Sequence, residues 1–290
     1  MSSPPFAGSK TSVLVRLSAI EADLRESERK IGEYLLHHAP ELVHLSITEL
    51  ADATNTSEAT VIRFAQRLGY PGFSALKIAL ALELRDSATP LPGDVAPEDD
   101  IATIKRKVLD TSVGGLRDTT DLLGDTALLQ AVEALDGARR VEAYGVGSSA
   151  AVAHDAYAQL VQIGIPIVAV TDPHLQVLSA VQLRPGDVVL AISESGSTRD
   201  TLEAVEAAKA AGATCICLTR HARSPITRVA DIVLLAAARP MMLEGFQLVD
   251  RLAQLLVIDM LWVALAMRRQ EHSREALARG RQALSARKRL

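Results

Sequence analysis

Residues 188–212 read VVLAISESGSTRDTLEAVEAAKAAG, and this stretch decides the fold. It opens on an unalternating, β-branched apolar run, Val188–Ile192, then breaks at a small polar loop and resumes at helical period from Thr198 to Ala211. A short apolar run without alternation marks a strand buried on both faces, and a helix directly after it begins a crossover. The same grammar extends outward in both directions. Apolar runs stand at Val141–Val146, Ile165–Val170, Thr214–Leu218 and Ile232–Ala236, with helical stretches such as Ala150–Ile163 between them. Five such runs separated by helices predict an α/β fold built on a parallel sheet covered on both sides. A last helix is expected from about Leu248 to Arg269.

Upstream the pattern is helical throughout, from Val13 to Leu84. Leu14, Leu17, Ile20 and Leu24 recur at helical spacing, and Ile31, Leu35 and Leu36 continue it in a segment starting near Ser27, with Pro40 limiting its length. Residues 46–70, SITELADATNTSEATVIRFAQRLGY, predict two short helices, Ile47 to Ala53 and Ser57 to Leu68, about an Asn55-Thr56-Ser57 turn. Leu50, Ala51, Val61, Phe64, Ala65 and Leu68 seal such a pair at a helix-turn-helix angle, and Gly69 ends the second helix. Between the two regions lies DSATPLPGDVAPEDD, Asp86 to Asp100, proline-rich with five acidic residues and no apolar face. The organisation expected is therefore a disordered tail over 1–10, an all-α helix-turn-helix domain over 11–86, a linker over 87–100 and the sheet domain over 101–290. Ile101 to Leu123 reads as a helix that Gly114-Gly115 is expected to break or bend.

Bulk composition narrows the function. Aromatic residues make up only 3%, too few for base-stacking platforms on single strands. The net charge is −4, and residues 1–86 carry nine basic against eleven acidic side chains, so DNA contact must come from a local patch doubled by dimerisation. From Arg268 to Arg289 there are eight basic and two acidic residues, read as a solvated helix end. Cys215 and Cys217 lie two apart on one predicted strand, so reduced, buried thiols are expected. Met1 to Lys10 has no apolar core of a signal peptide, and Leu252 to Met267 is too short and too interrupted to span a bilayer. A cytoplasmic protein with no membrane partner is expected.

Three segments carry candidate chemistry. On the second helix of residues 46–70, Ser57, Glu58 and Thr60 sit in the part that enters a major groove, and Arg63 and Arg67 follow on one face. Arginine forks onto guanine or clamps phosphate, although a helical bundle with surface arginines shows the same spacing. The second segment is GVGSSA, Gly145 to Ala150, and the third is ISESGST, Ile192 to Thr198; both join a strand to a helix. Hydroxyls and free N–H groups at a helix start favour an anion, with no lysine required. Serine and threonine at such turns also serve as plain helix caps. Two such loops at one sheet edge favour a ligand over caps. Ala150 stands where GxGxxG has its third glycine, which argues against a dinucleotide.

Two families resemble these segments. SERKIGEYLLHHAPELVHLSITELADATNTSEATVIRFAQRLGYPGFSALKIALALEL resembles the N-terminal domain of RpiR/HexR-type transcriptional regulators, most closely in SITELA, SEATVIRFAQRLGY and GFSALK. That likeness implies that Ser57, Thr60 and Arg63 face double-stranded operator DNA and that Lys77 adds a phosphate contact. Asn55-Thr56 departs from the small apolar residue more usual before the serine. VEAYGVGSSAAVAHDAYAQLVQIG, DPHLQVLSAVQLRPGDVVLAISESGSTRDTLEAVEAAKAAGA and SPITRVADIVL are similar to the sugar isomerase (SIS) domain. The likeness implies a flavodoxin-like, doubly wound, five-stranded parallel sheet that binds phosphosugars and forms homodimers or homotetramers. Gly147, Ser148, Ser149, Ser193, Ser195, Gly196 and Thr198 would hold the phosphate, and Glu244 the sugar. Val249-Asp250 stands before Arg251 where serine is more usual.

SIS domains also occur in isomerases, which need a general base. His154, His174, His221 and Glu244 are the candidates, and His174, read as lying in a loop over the sheet edge, has no evident partner. No metal-ligand spacing appears, so neither metal nor cofactor is expected. The reading is a regulator of carbohydrate metabolism controlled by a phosphorylated sugar or sugar acid, with no catalytic residues. The alternative is a sugar-phosphate isomerase or etherase with a helical N-terminal cap.

Overall fold

The computed structural model describes residues 12–86, 98–236, 242–243, 246–247 and 250–285. The expected tail over 1–10, most of the linker, Glu244 and Val249 lie outside the described residues. The chain forms two compact units, one built mainly on the helices up to Leu122 and one holding the five-stranded sheet, made of Leu123–Arg220, Ser224–Ala236 and the chain from Arg251.

The first unit contains α1 (Val13–Ile20), α2 (Glu26–Leu42), α3 (Ile47–Ala53), α4 (Glu58–Arg67), α5 (Phe73–Asp86) and α6 (Ile101–Leu122). Helix α2 starts earlier than Ser27. The Glu28 carboxylate accepts the Arg25 backbone N–H at 3.1 Å, which caps the start and puts Ser27 inside the first turn. Pro40 kinks rather than ends α2: backbone angles turn non-helical at His38 (φ −129°, ψ 31°) and the helix resumes to Leu42. Helix α6 likewise runs unbroken through Gly114-Gly115. Thr111, Gly115, Asp118, Thr119 and Leu122 form one buried stripe, and the Thr119 hydroxyl donates to the Gly115 carbonyl at 2.9 Å. Packing along that stripe outweighs the roughly 1 kcal/mol that each helical glycine costs.

Between α3 and α4 the turn is closed at Asn55, the only described non-glycine residue with positive φ (50°). Asn55 N–H donates to the Asp52 carbonyl at 3.1 Å and Thr56 N–H to the Ala51 carbonyl at 2.8 Å. This is a Schellman closure, and asparagine tolerates the left-handed region better than most residues. The Thr54 and Thr56 hydroxyls meet at 2.9 Å, so the departure at Asn55-Thr56 is accommodated by polar packing. Gly69 (φ 86°) closes α4 by the same motif. Leu50, Val61, Phe64 and Leu68 are fully buried with Ile31, Leu35 and Leu76, which sets the angle between α3 and α4.

The second unit runs α7 (Asp125–Asp136), β1 (Arg140–Tyr144), α8 (Ser148–Leu160), β2 (Ile167–Val170), α9 (Pro173–Ala180), β3 (Asp187–Ile192), α10 (Arg199–Ala210), β4 (Thr214–Thr219), α11 (Pro225–Val229) and β5 (Ile232–Leu235). A two-residue ladder, β6 (Met242–Leu243) with β7 (Phe246–Gln247), precedes α12 (Asp250–Arg268) and α13 (Gln270–Ser285). The five strands are all parallel in the order β2-β1-β3-β4-β5. Every residue of β3 is buried, as its continuous apolar run requires. The buried Glu142 carboxylate is fully engaged. Glu142 on β1 accepts from Tyr144 Oη at 2.6 Å and Ser179 Oγ at 2.7 Å and forms an ion pair with Arg140. Burial, and then the Glu142 carboxylate, push the Tyr144 phenol far up. Cys215 and Cys217 are free and buried. His174 lies on α9, not in a loop: Pro173 occupies the first turn and the Asp172 carboxylate accepts the Leu175 N–H at 2.9 Å. Among the described residues, no helix is long and apolar enough to cross a membrane.

Candidate functional site

The strand order places a topological switch between β1 and β3. From β1 the chain moves outward to β2, then returns to the other side of β1 to lay down β3, β4 and β5. In open α/β sheets, ligands bind beyond the carboxyl ends of the strands at such a point. Both serine loops are there. Tyr144 is in register with Ala191, so the loop at Gly145 and the loop at Ser193 leave the sheet from hydrogen-bonded neighbours, roughly 5 Å apart.

The first loop folds back tightly against its own strand. A Cβ on Gly145 would lie 2.6 Å from the Ser149 carbonyl oxygen, so only glycine fits there. Gly147 occupies the N-cap of α8 (φ 57°, ψ −126°) and no side chain caps this helix. Ser148 is exposed in the first turn and Ser149 buried, so the two serines face different surroundings. The loop's base is held by a residue that spacing did not flag. Gln176 on α9 donates through Nε2 to the Gly145 carbonyl at 3.2 Å and to the Val170 carbonyl at 2.8 Å, joining the ends of β1 and β2.

The second loop is anchored to β4. Ser193 N–H donates to the Leu218 carbonyl at 3.0 Å, and the Glu194 carbonyl accepts from Thr219 Oγ1 at 3.1 Å and Arg220 N–H at 3.0 Å. The buried Arg220 guanidinium lies 3.7 Å from the Glu194 carboxylate. Ser193 is buried and its hydroxyl sits 3.4 Å from that of Thr198, while Ser195 is exposed. Thr198 is the N-cap residue of α10, yet its side chain makes no capping bond. Elsewhere the chain does cap with side chains: Ser46 on α3, Ser57 on α4 and Asp172 on α9 each accept a first-turn N–H. The capping explanation of ISESGST therefore fails at the residue placed to cap. Three buried polar atoms around the two loops have no partner among the described residues: Gln176 Oε1, Thr201 Oγ1 and Ser224 Oγ.

On α4 the candidates separate. Ser57 caps the helix, accepting the Thr60 N–H at 3.3 Å, and Arg63 is exposed, its Nη2 donating to Thr60 Oγ1 at 3.0 Å. Thr60 is buried. Arg67 is engaged inside the unit: Nη1 meets the buried Glu28 carboxylate at 2.7 Å and Nη2 the Asp23 carbonyl at 3.0 Å. Lys77 Nζ donates to the Leu45 carbonyl at 2.7 Å and lies 5.4 Å from the Phe73 ring centre. His154 is exposed on α8, with Nε2 3.4 Å from the Thr171 hydroxyl. Among the described residues, no three His, Cys, Asp or Glu side chains gather as a metal site would need.

A helix-turn-helix module joined to a parallel sheet with two serine-rich loops at its switch point defines a class of DNA-binding regulator with an appended α/β domain. Comparison with known sequences identifies the family. Residues 11–87 match the helix-turn-helix domain of the rpiR family and residues 134–264 match the SIS domain. An HTH-type transcriptional regulator of Caldanaerobacter subterraneus subsp. tengcongensis is 37% identical over 278 residues, 96% of this chain and 99% of that protein. This chain belongs to the rpiR family of transcriptional regulators, with an SIS domain following the helix-turn-helix. The Vibrio vulnificus NanR protein, solved in complex with ManNAc-6P, is similar over 95% of this chain and 98% of its own, with 28% identity and a TM-score of 0.60. The bifunctional protein glk of Burkholderia orbicola is 32% identical over 262 residues, 90% of this chain but 41% of that protein.

Proposed function

We propose that this protein regulates genes of carbohydrate metabolism in the cytoplasm, with its affinity for operator DNA set by a phosphorylated sugar or sugar acid. The reading module is taken as residues 11–86, joined through 87–100 to a sensor over 101–290. The sensor acts without turnover, as a homodimer or homotetramer. One observation carries the reading: two serine-rich loops leave neighbouring strands at the switch point, and the N-cap threonine of the helix after the second makes no capping bond. An anion supplies to those amides what a capping side chain supplies elsewhere. The NanR relative, solved with a phosphorylated amino sugar, supports the ligand class. Ser148, Ser149, Ser193, Ser195 and Thr198 are assigned to the phosphate with the Gly147 and Gly196 backbones. Ser57 and Arg63 are assigned to DNA, Thr60 to holding Arg63, and Arg67 and Lys77 to bracing the module.

Regulation requires the ligand to favour one arrangement of the assembled chains over another, since equal affinity for both shifts nothing. The test is a panel of phosphosugars scored by melting temperature. A ligand at 100 times its Kd stabilises by about 2.7 kcal/mol, about 5–10 °C for a unit of this size. Ser193→Ala with Ser195→Ala is expected to abolish the shift and leave the fold intact; a full shift in that variant refutes the site. Phosphosugar turnover without DNA binding would favour an isomerase or etherase instead.

A further inference from the structure

Helix α4 presents a solvent face that differs from the set of residues its spacing singles out. Glu58, Ala59, Ile62, Arg63 and Gln66 are exposed, while Thr60, Val61, Phe64 and Ala65 are buried. Two of the polar groups on or beside that face are already committed. Thr48 Oγ1 bonds Glu58 at 2.5 Å, and Arg67 is held by Glu28 and Asp23. What remains at helical spacing is Ala59, Ile62 and Gln66, beside Arg63, which is held only within its own helix by Thr60 Oγ1. Ile62 is the unusual member: a large apolar side chain, 39% exposed, beside an arginine on the outer face of a short helix.

We propose that Ile62 and Gln66 determine operator sequence alongside Arg63, Ile62 against a thymine methyl and Gln66 against an adenine edge. The inference rests on the DNA-reading role given to α4 above. A major groove admits one α-helix and offers one apolar group, the thymine C5-methyl, so an exposed isoleucine finds its matching partner there. Glutamine has one acceptor and two donors on a plane and pairs with adenine N6 and N7, a geometry that arginine cannot match. Ile62 and Gln66 are one turn apart, about 6 Å along the helix axis, which spans roughly two base steps. The operator half-site should therefore hold a thymine and an adenine about two base pairs apart on either strand, next to the base read by Arg63.

The test pairs side chains with single atoms of DNA. The full chain selects its preferred duplex from a random pool. Each thymine of that duplex is then replaced by deoxyuridine, which removes only the methyl, and each adenine by 7-deazaadenine, which removes only N7. At one position, deoxyuridine should weaken wild-type binding about fourfold, the worth of one methyl, and leave Ile62→Ala indifferent. At a second position, the deaza base should cost wild type about fivefold or more and leave Gln66→Ala indifferent. Ile62→Val should keep part of the methyl response. Both positions are exposed, so unchanged melting of the variants confirms that the fold is intact. Variants that bind the selected duplex with the same base preferences and the same responses to both analogues overturn the assignment. A pool from which the wild-type chain recovers no preferred sequence overturns the DNA-reading role itself, and this assignment with it.

Discussion

Gly196→Ala tests the second serine loop most directly. Gly196 has φ 61°, in the left-handed region, and a Cβ built there would lie 2.1 Å from Ser224 Oγ, 2.7 Å from Ser224 Cβ and 3.1 Å from Ile226 Cγ2. Two costs add. The left-handed backbone costs a residue with a Cβ roughly 1–2 kcal/mol, and overpacking a buried neighbour costs roughly 1–3 kcal/mol. Neither neighbour gives way easily, since Ser224 and Ile226 are buried and Ile226 N–H is tied to the Gly196 carbonyl at 3.0 Å. The expected loss is about 2–5 kcal/mol, or about 5–15 °C in the melting of the sheet unit followed by circular dichroism. Gly147→Ala is the control. It has a positive φ of 57° but open space where the Cβ would go, so it should cost only the backbone share, about 1–2 kcal/mol. Adding Ser224→Gly to Gly196→Ala removes the two nearest atoms and should restore the overpacking share. Gly196→Ala melting no lower than Gly147→Ala, or no recovery in the double variant, refutes the packing argument.

Other outcomes follow from the same coordinates. Arg67→Ala strips the buried Glu28 of its guanidinium partner and should lower the urea midpoint of the helical unit by an equivalent of about 1.5–3 kcal/mol, leaving the base preference of folded protein unchanged. Burial pushes the Cys215 thiol up to about 11 and Cys217 to about 12. An unfolded chain releases those protons near pH 8.5, before the folded one does. This contribution to stability is therefore complete below about pH 8.5 and is lost as pH rises through the folded values, so Cys215→Ala with Cys217→Ala should flatten the alkaline arm of the stability profile. Iodoacetamide at pH 8 should label neither thiol until urea unfolds the chain, and rapid labelling of native protein would contradict the burial.

The sheet was legible because buried parallel strands carry continuous apolar runs, and β3 differs from its expected bounds by one residue at its start. The α3–turn–α4 segment was equally readable, since Ser57 and Gly69 punctuate it with caps whose chemistry is local. Long-range pairing was not readable. Nothing in the spacing of Arg67 shows that Glu28, 39 positions earlier, meets its guanidinium. Gln176 and Arg220 were missed for the same reason: each acts on a loop distant in sequence, through a carbonyl or an ion pair. Helix α9 was missed although Asp172-Pro173 is a start signal, because its exposed face carries Leu175 and Leu178 and shows little amphipathic contrast. Gly114-Gly115 misled in the opposite direction, since propensity was overruled by a buried stripe.

The N-cap threonine at the head of α10, which makes no capping bond, has a consequence for how such a protein balances stability against response. On the proposed sensing role, a helix start that takes its counter-charge from a bound phosphosugar leaves the ligand-free fold less stable than an internally capped one, and links stability to ligand supply. On that role, replacements that complete the turn internally are expected to stabilise the ligand-free protein and weaken its response together, a trade between stability and function.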